Sequence, residues 1–395
     1  MLERWQIQLE QQRQQGLYRQ PPTVRQRCGK ILVMDDGSRL LNFASNDYLG
    51  LGCDPVLANR VARYFERLGS SASSSRLVCA AYSAIARAEE ALARYFGYES
   101  AIILPSGYQA NLTLVSTLFA YQDVIFFDKR IHASMVKGLQ LSEASFHGYN
   151  HNSMEHLQRR MEQRGCPGRN AVVTEALFSM DGDRLPVEGL NALKTHWQFL
   201  CVVDEAHSFG VLGPGGRGLG AGVADIATGT LGKAMGLFGA FLLLPHVVRE
   251  YLLNFGSGLI YSTSLPEAHG AAVLEMLELL ENSEPRRQHL AWLADTMKAA
   301  LEREGFEVAG DAHILALQVG EEHRARELAQ AMGRRGILCF AARYPTVPLG
   351  QAILRISLSA LHDEQDIRQF IQTLKEAWHE TGQETQTTLR NRNGH

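Results

Sequence analysis

The stretch FLCVVDEAH, residues 199–207, is an apolar run that ends in Asp204, Glu205 and His207. An apolar run of strand length, with no polar residue to face water, reads as a strand covered on both sides. Similar runs stand before and after it: AIILP (101–105), DVIFF (123–127), NAVVTEALF (170–178) and GAFLLL (239–244), with helical patterns between them. Strand and helix in alternation predict an α/β fold with a mainly parallel sheet. In such open sheets ligands gather at the carboxyl ends of the strands. The chemically capable residues of this chain cluster at those ends.

Asp204 closes the strand quoted above. A carboxylate there is costly unless a cation meets it, and the protonated ring nitrogen of a pyridine cofactor is such a cation. Taken alone, such an Asp more often caps a turn. ATGTLGKA (227–234) sets Lys233 among small residues just before GAFLLL. Pyridoxal phosphate needs a lysine amine to bond its aldehyde, Gly232 leaves room for a planar ring, and Thr228 and Thr230 can donate to phosphate oxygens. In LPSGYQAN (104–111) a strand end turns into a helix start, where the amides of Gly107 and Tyr108 form an anion site. DKRIHASM (128–135) places His132 after a strand, where a flat imidazole can stack on a ring, although a lone histidine is more often structural. FSMDGD (178–183) places Ser179 within reach of a ring hydroxyl. Each signal is weak alone; five on successive strand ends point to one cofactor.

These residues sit in long, ordered motifs: SNDYLGL (45–51), IHASM (131–135), TEALFSMDGD (174–183), VDEAHSFGVLGPGGRG (203–218), TGTLGKAMG (228–236), IYSTSLP (260–266) and PTVPLGQAILRISLSALH (345–362). Together they resemble the α-oxoamine synthases, from about residue 2 to 375. The resemblance implies a fold-type I pyridoxal-phosphate transferase working as a homodimer on an amino acid and an acyl-coenzyme A or acyl-carrier protein. Lys233 would carry the cofactor and move protons, Asp204 would pair with the ring nitrogen, and His207 and Ser179 would approach the ring hydroxyl. His132 would stack on the ring. Gly107, Tyr108 and Thr230 would bind phosphate, with Thr263 reaching in from the partner subunit. Arg355 would hold the amino-acid carboxylate bidentately, and Asn46 would assist across the dimer. IYSTSLP, PTVPLG, RISLSALH and the early GLYRQ favour the branch that joins a pimeloyl thioester to L-alanine in biotin synthesis.

Two departures from the family pattern bear on the acyl group. The usual glycine-rich loop is here GSSASSSRLVCAAYSAIARAEEAL, and by ungapped register Ile85 stands where members carry histidine. The family's Arg-x-Arg is here Ile353-Leu354-Arg355, a loss shared with the quorum-sensing α-hydroxyketone synthases. A longer or less polar acyl chain is therefore an open alternative, as is a silent paralogue that has kept only the fold.

With 395 residues, 45% hydrophobic and 21% charged, the chain has ample material for a core. Residues 1–45 read as a helix (2–15) and an extended pair around Asp35-Asp36-Gly37. Residues 46–275 read as a large cofactor-binding domain and 276–380 as a small α+β domain. The tail from 381 is polar and aperiodic and is expected to be disordered. The net charge of -3 offers no basic field for nucleic acid. Although Asp204 to His207 spells DEAH, no P-loop accompanies it. Gly213 to Gly218 matches GxGxxG but follows a turn, not a strand. No run approaches the ~20 apolar residues of a membrane span, and the polar N-terminus is no secretory signal. Cysteines at 28, 53, 79, 166, 201 and 339 fit neither a disulfide framework nor a zinc site, so no metal is expected and the cytoplasm is the expected compartment.

Overall fold

A computed structural model describes residues 1–392, with side chains through 382. The chain forms two compact units. One comprises Leu49–Ser179 and Arg184–Arg287; the other comprises Met1–Tyr48, Met180–Asp183 and the chain from Gln288 onward.

The first unit is built on a seven-stranded sheet. Its strands are β1 (Ser100–Leu104), β2 (Val124–Asp128), β3 (Ser145–Tyr149), β4 (Asn170–Glu175), β5 (Leu200–Asp204), β6 (Ile226–Thr230) and β7 (Ala240–Leu244), in spatial order β1-β7-β6-β5-β4-β2-β3. Only β7 pairs antiparallel, with β1 on one side and β6 on the other. Successive side chains alternate between two buried faces. Ile102, Ile125, Val173, Val202 and Leu242 pack on one side. Phe126, Val172, Cys201 and Val203 pack on the other. This double coverage is why these strands read as continuous apolar runs. Helices α1 (Gly107–Leu118) and α2 (Ala133–Leu141) follow β1 and β2 directly and cover the first face.

The second unit holds two four-stranded sheets. Val24–Cys28, Ile31–Met34 and Arg39–Asn42 form an antiparallel meander. Its last strand pairs parallel with Ile337–Leu338. In the other sheet Ile314–Gly320 pairs with Ala352–Ser357 over six registered positions. The N-terminal segment, expected to stand apart as residues 1–45, is therefore completed by a C-terminal strand. The boundary expected near 275 lies at Arg287 because Glu267–Glu281 packs on Pro55–Leu68 and Ser83–Phe96 within the first unit.

The N-terminal segment adds to its sequence reading and the C-terminal one departs from it. Leu2–Gln14 is helical, yet Leu2, Trp5, Ile7 and Leu9 are all exposed. The segment expected as an unstructured tail continues the helix Glu364–Arg392, whose buried face extends to Thr381. Polar residues do not stop a helix that already has an anchored face. Residues 393–395 of that expected tail lie outside the described residues. Among the described residues no helix is long and apolar enough to cross a membrane.

Candidate active site

The carboxyl ends of the parallel strands place their polar residues side by side. Cα register aligns Glu175 of β4 with Asp204 of β5 and Asp204 with Thr228 of β6. Asp204 is buried. Its Oδ2 accepts from Asn111 Nδ2 at 2.7 Å and its Oδ1 from the Ala206 amide at 2.9 Å. Asn111 lies on α1, one turn after Gly107, and its amide also reaches Ser134 Oγ at 3.0 Å. Two N–H donors fix the orientation of this carboxylate.

Lys233 lies in the tight connection from β6 to β7. That loop is closed by Leu231 N to Gly239 O at 2.9 Å and Leu237 N to Leu231 O at 2.8 Å. Gly236 and Gly239 adopt positive φ to make the turn. The Lys233 amine is 2.8 Å from His207 Nε2, and His207, three residues past Asp204, is buried. His132 N-caps α2: its Nδ1 accepts from the Ser134 amide at 3.3 Å and lies 2.7 Å from Ser134 Oγ. The surrounding protein desolvates the imidazole and lowers its pKa, with Asp204 opposing and Lys233 reinforcing the shift. Its ring meets the exposed Tyr108 edge-on at 6.4 Å between centroids.

The other residues singled out from the sequence are placed as follows. Gly107 and Tyr108 are the first two residues of α1, capped by Ser106, which accepts from Gln109 N at 3.2 Å. Thr230 is engaged within its own loop, donating to the Gly239 carbonyl and accepting from the Gly232 amide. Thr263 bridges Ser75 by backbone in this same chain. Ser179 follows β4, within the reversal marked by the Leu177–Arg184 bridge. In the second unit Arg355 is buried on Ala352–Ser357, with Nη1 2.5 Å from Ser357 Oγ and Nη2 3.3 Å from Asn46 Oδ1. Asn46, expected to act across a dimer, thus meets Arg355 of its own chain. Tyr48 donates to the same Asn46 oxygen at 3.0 Å. Burial pushes the Tyr48 phenol up to about 12 against the pull of Arg355.

Asn111, Ser134, Glu175 and Glu205 belong to the first unit's cluster and were not singled out from the sequence. Asn111 left one signal, a lone amide on a helix face of buried Ala110, Leu114 and Val115. Glu205 accepts from Ser208 Oγ and from the amides of Leu219 and Gly220. It thereby pins the GxGxxG stretch against β5. A Cβ on Gly218, at φ +87°, would strike that carboxyl and the Phe209 ring. Burial raises the Glu205 pKa to about 7 despite these donors.

This constellation can hold a planar cationic ring and a phosphate. Gly107 and Gly232 have ordinary backbone angles, and a Cβ on either would meet nothing closer than 3.6 Å. Neither glycine is demanded by the chain's own packing, and both leave open space at the cluster. The buried Asn111 Oδ1, Glu175 Oε1 and Thr228 Oγ1 have no hydrogen-bond partner among the described residues.

Residues 38–374 match the family of class I and II aminotransferases. The chain belongs to this family. It is 39% identical to 8-amino-7-oxononanoate synthase of Gluconacetobacter diazotrophicus, over 90% of this chain and 92% of that one. The serine palmitoyltransferase of S. paucimobilis, seen with PLP and myriocin bound, superposes with a TM-score of 0.89 at 27% identity, covering 95% and 97% of the two chains. The 8-amino-7-oxononanoate synthase of Francisella tularensis superposes with a TM-score of 0.74 at 31% identity, covering 88% and 99%. The protein is an α-oxoamine synthase, a pyridoxal-phosphate-dependent acyltransferase with the fold-type I architecture expected from its sequence.

Proposed function

We propose that this α-oxoamine synthase condenses L-alanine with a pimeloyl thioester, with loss of carbon dioxide, to form 8-amino-7-oxononanoate for biotin synthesis. The observation that carries the reading is the Lys233 amine 2.8 Å from His207, at the strand edge where Asp204 is buried. Curated relatives bearing that synthase name support the choice of substrates.

When bound, pyridoxal phosphate supplies an aldehyde for amines and a ring that withdraws electrons. Lys233 is the amine assigned to the aldehyde; once freed, its Nζ removes the proton at the alanine α-carbon and later returns one. The His207 contact would hold Nζ in place for that transfer. Asp204, oriented by Asn111 and the Ala206 amide, would pair with the positive ring nitrogen, and Ser179 and His207 would approach the ring hydroxyl. His132 would stack on the ring. The Gly107 and Tyr108 amides and Thr230 are assigned to phosphate, with Thr263 contributed by a second copy of the chain. Arg355, steadied by Asn46 and Ser357, is assigned to the alanine carboxylate. The α-carbon bonds to the thioester carbonyl and the thiolate leaves. The carboxylate carbon then departs as carbon dioxide, and a proton replaces it.

A second reading keeps the chemistry and changes the acyl group. Ile85 lines a cavity of about 270 Å³ with Tyr82, Leu253, Leu259 and Ile260, in whose wall Arg76 and Arg249 are both paired with Glu89. Ile353, where the family pattern has arginine, is buried against Ala316, Ala342 and Val347. Both favour a longer, uncharged chain. Thiol release with L-alanine and a ladder of acyl-coenzyme A chains separates the two. A maximum at pimeloyl supports the biotin reading, and a maximum at a longer uncharged chain replaces it. No release with any chain, despite bound cofactor, leaves a carrier-protein donor or a silent paralogue.

A further inference from the structure

The mechanism leaves Glu175, a buried acid of the site, unused. Glu175 ends β4 in Cα register with Asp204, whose register partner in turn is Thr228. Residues so paired in a parallel sheet direct their side chains to the same face. Glu175 and Asp204 are only 2% and 5% exposed. Two adjacent carboxylates shielded from water do not both stay ionised; one retains a proton.

The hydrogen bonds decide which one. Asp204 receives the Asn111 side-chain amide and the Ala206 backbone amide. Glu175 receives the His132 backbone amide, while its Oε1 has no partner among the described residues. The ionisable groups facing Glu175 are Asp204, Lys233 and Asp128. Lys233 is bonded to His207, and Asp128 is bonded to His151 at 3.0 Å. Burial, followed by the Asp204 charge, drives the Glu175 pKa well above the carboxylate range, outweighing Lys233 and the His132 amide.

We propose that Glu175 is a positioning residue that stays an undissociated acid, anchors the His132 backbone, and leaves Asp204 the single charged carboxylate of the row. A neutral acid still accepts the His132 N–H through its carbonyl oxygen, and it adds no charge to compete for a ring cation. His132 is then fixed at two points, by its amide to Glu175 and by Nδ1 to the Ser134 amide. The consequence for catalysis rests on the cofactor assignment above; the protonation state does not.

Infrared difference spectra of cofactor-free wild type and Glu175→Gln at neutral pH test the protonation state. Wild type should show the carbonyl band of an undissociated carboxylic acid that the variant lacks. A difference confined to ionised carboxylate bands would overturn the proposal. In the holoenzyme Glu175→Gln keeps a neutral acceptor and should hold kcat within about 3-fold. Glu175→Ala should lower kcat roughly 10- to 100-fold by loosening His132, with both KM values nearly unchanged. Equal damage in Gln and Ala would also overturn it. Absence of any cofactor absorbance in wild type would refute the cofactor assignment, leaving the infrared result to judge Glu175 by itself.

Discussion

At the residue scale the site joins groups that need one another. The Lys233 amine is held against His207, and the proposed mechanism assigns this one amine both the bond to the cofactor and the proton transfer. Lys233→Ala should abolish thiol release and the covalent lysine–cofactor adduct trapped by borohydride, while leaving the melting temperature within a few degrees. Turnover retained above a thousandth of wild type would contradict the assignment. Arg355→Ala should raise KM for the amino acid roughly 10- to 100-fold, the range for loss of a charge-assisted carboxylate contact, with KM for the acyl thioester little changed. Parallel increases in both would remove Arg355 from that role. Asp204, Lys233 and His132 stand out in the sequence because each lies at or just past the end of an apolar strand run, where a polar group needs a reason, while His207 and Arg355 were singled out only through the family motifs that contain them. Asn111 and Glu175 were not singled out: their partners Asp204 and His132 are 93 and 43 positions away, and only strand order brings them close.

At the element scale the caps of the first unit are measurable. Asp54 N-caps Pro55–Leu68, its Oδ1 accepting from Val56 N at 2.9 Å, while Arg286 meets its Oδ2 at 2.6 Å. Burial pushes the Asp54 carboxyl up, but Arg286 and the two helix amides outweigh it and the net shift is downward. The stabilisation is therefore present above the unfolded-state carboxyl pKa and lost as pH falls through the lower folded value. Asp54→Ala should cost about 1–2 kcal/mol at neutral pH, the usual range for a lost cap, and denaturant melts will read it. The penalty should shrink toward pH 3; a pH-independent penalty would deny the carboxylate its part. The strands were legible, since burial on both faces requires unbroken apolar runs. The N-terminal helix was placed correctly, but its exposed apolar side chains were not foreseen, because amphipathic spacing says nothing of what an apolar stripe meets.

At the scale of the whole molecule, acid should loosen the second unit through His362. Burial, set against Asp366, lowers its imidazole pKa to about 4. It stacks on Phe43 at 4.3 Å, and its Nδ1 accepts from the Ser359 amide. The unfolded chain protonates this histidine near 6.5, so between pH 6.5 and 4 the unfolded state binds the extra proton. Stability is then full above 6.5 and falls through that window, by roughly 3 kcal/mol in all. His362→Gln should flatten the decline in melting temperature between pH 6.5 and 4, and an unchanged slope would assign the loss elsewhere. Light scattering on the holoenzyme should report a dimer, as the assignment of Thr263 to a partner's phosphate site requires; a monomer with full activity would withdraw that assignment. By itself the sequence determined the α/β class, the order of the strands along the chain and the pyridoxal-phosphate family to which the chain belongs. Periodicity and strand-end chemistry are local properties, and the motifs are long enough to mark a family. Only the tertiary structure decided that Arg39–Asn42 is completed by Ile337–Leu338 and that Asn111 donates to Asp204. It also set Glu175 beside Asp204. Such pairings follow from strand order and register, which arise when distant segments share one hydrophobic core and leave no trace in the spacing of residues along the chain.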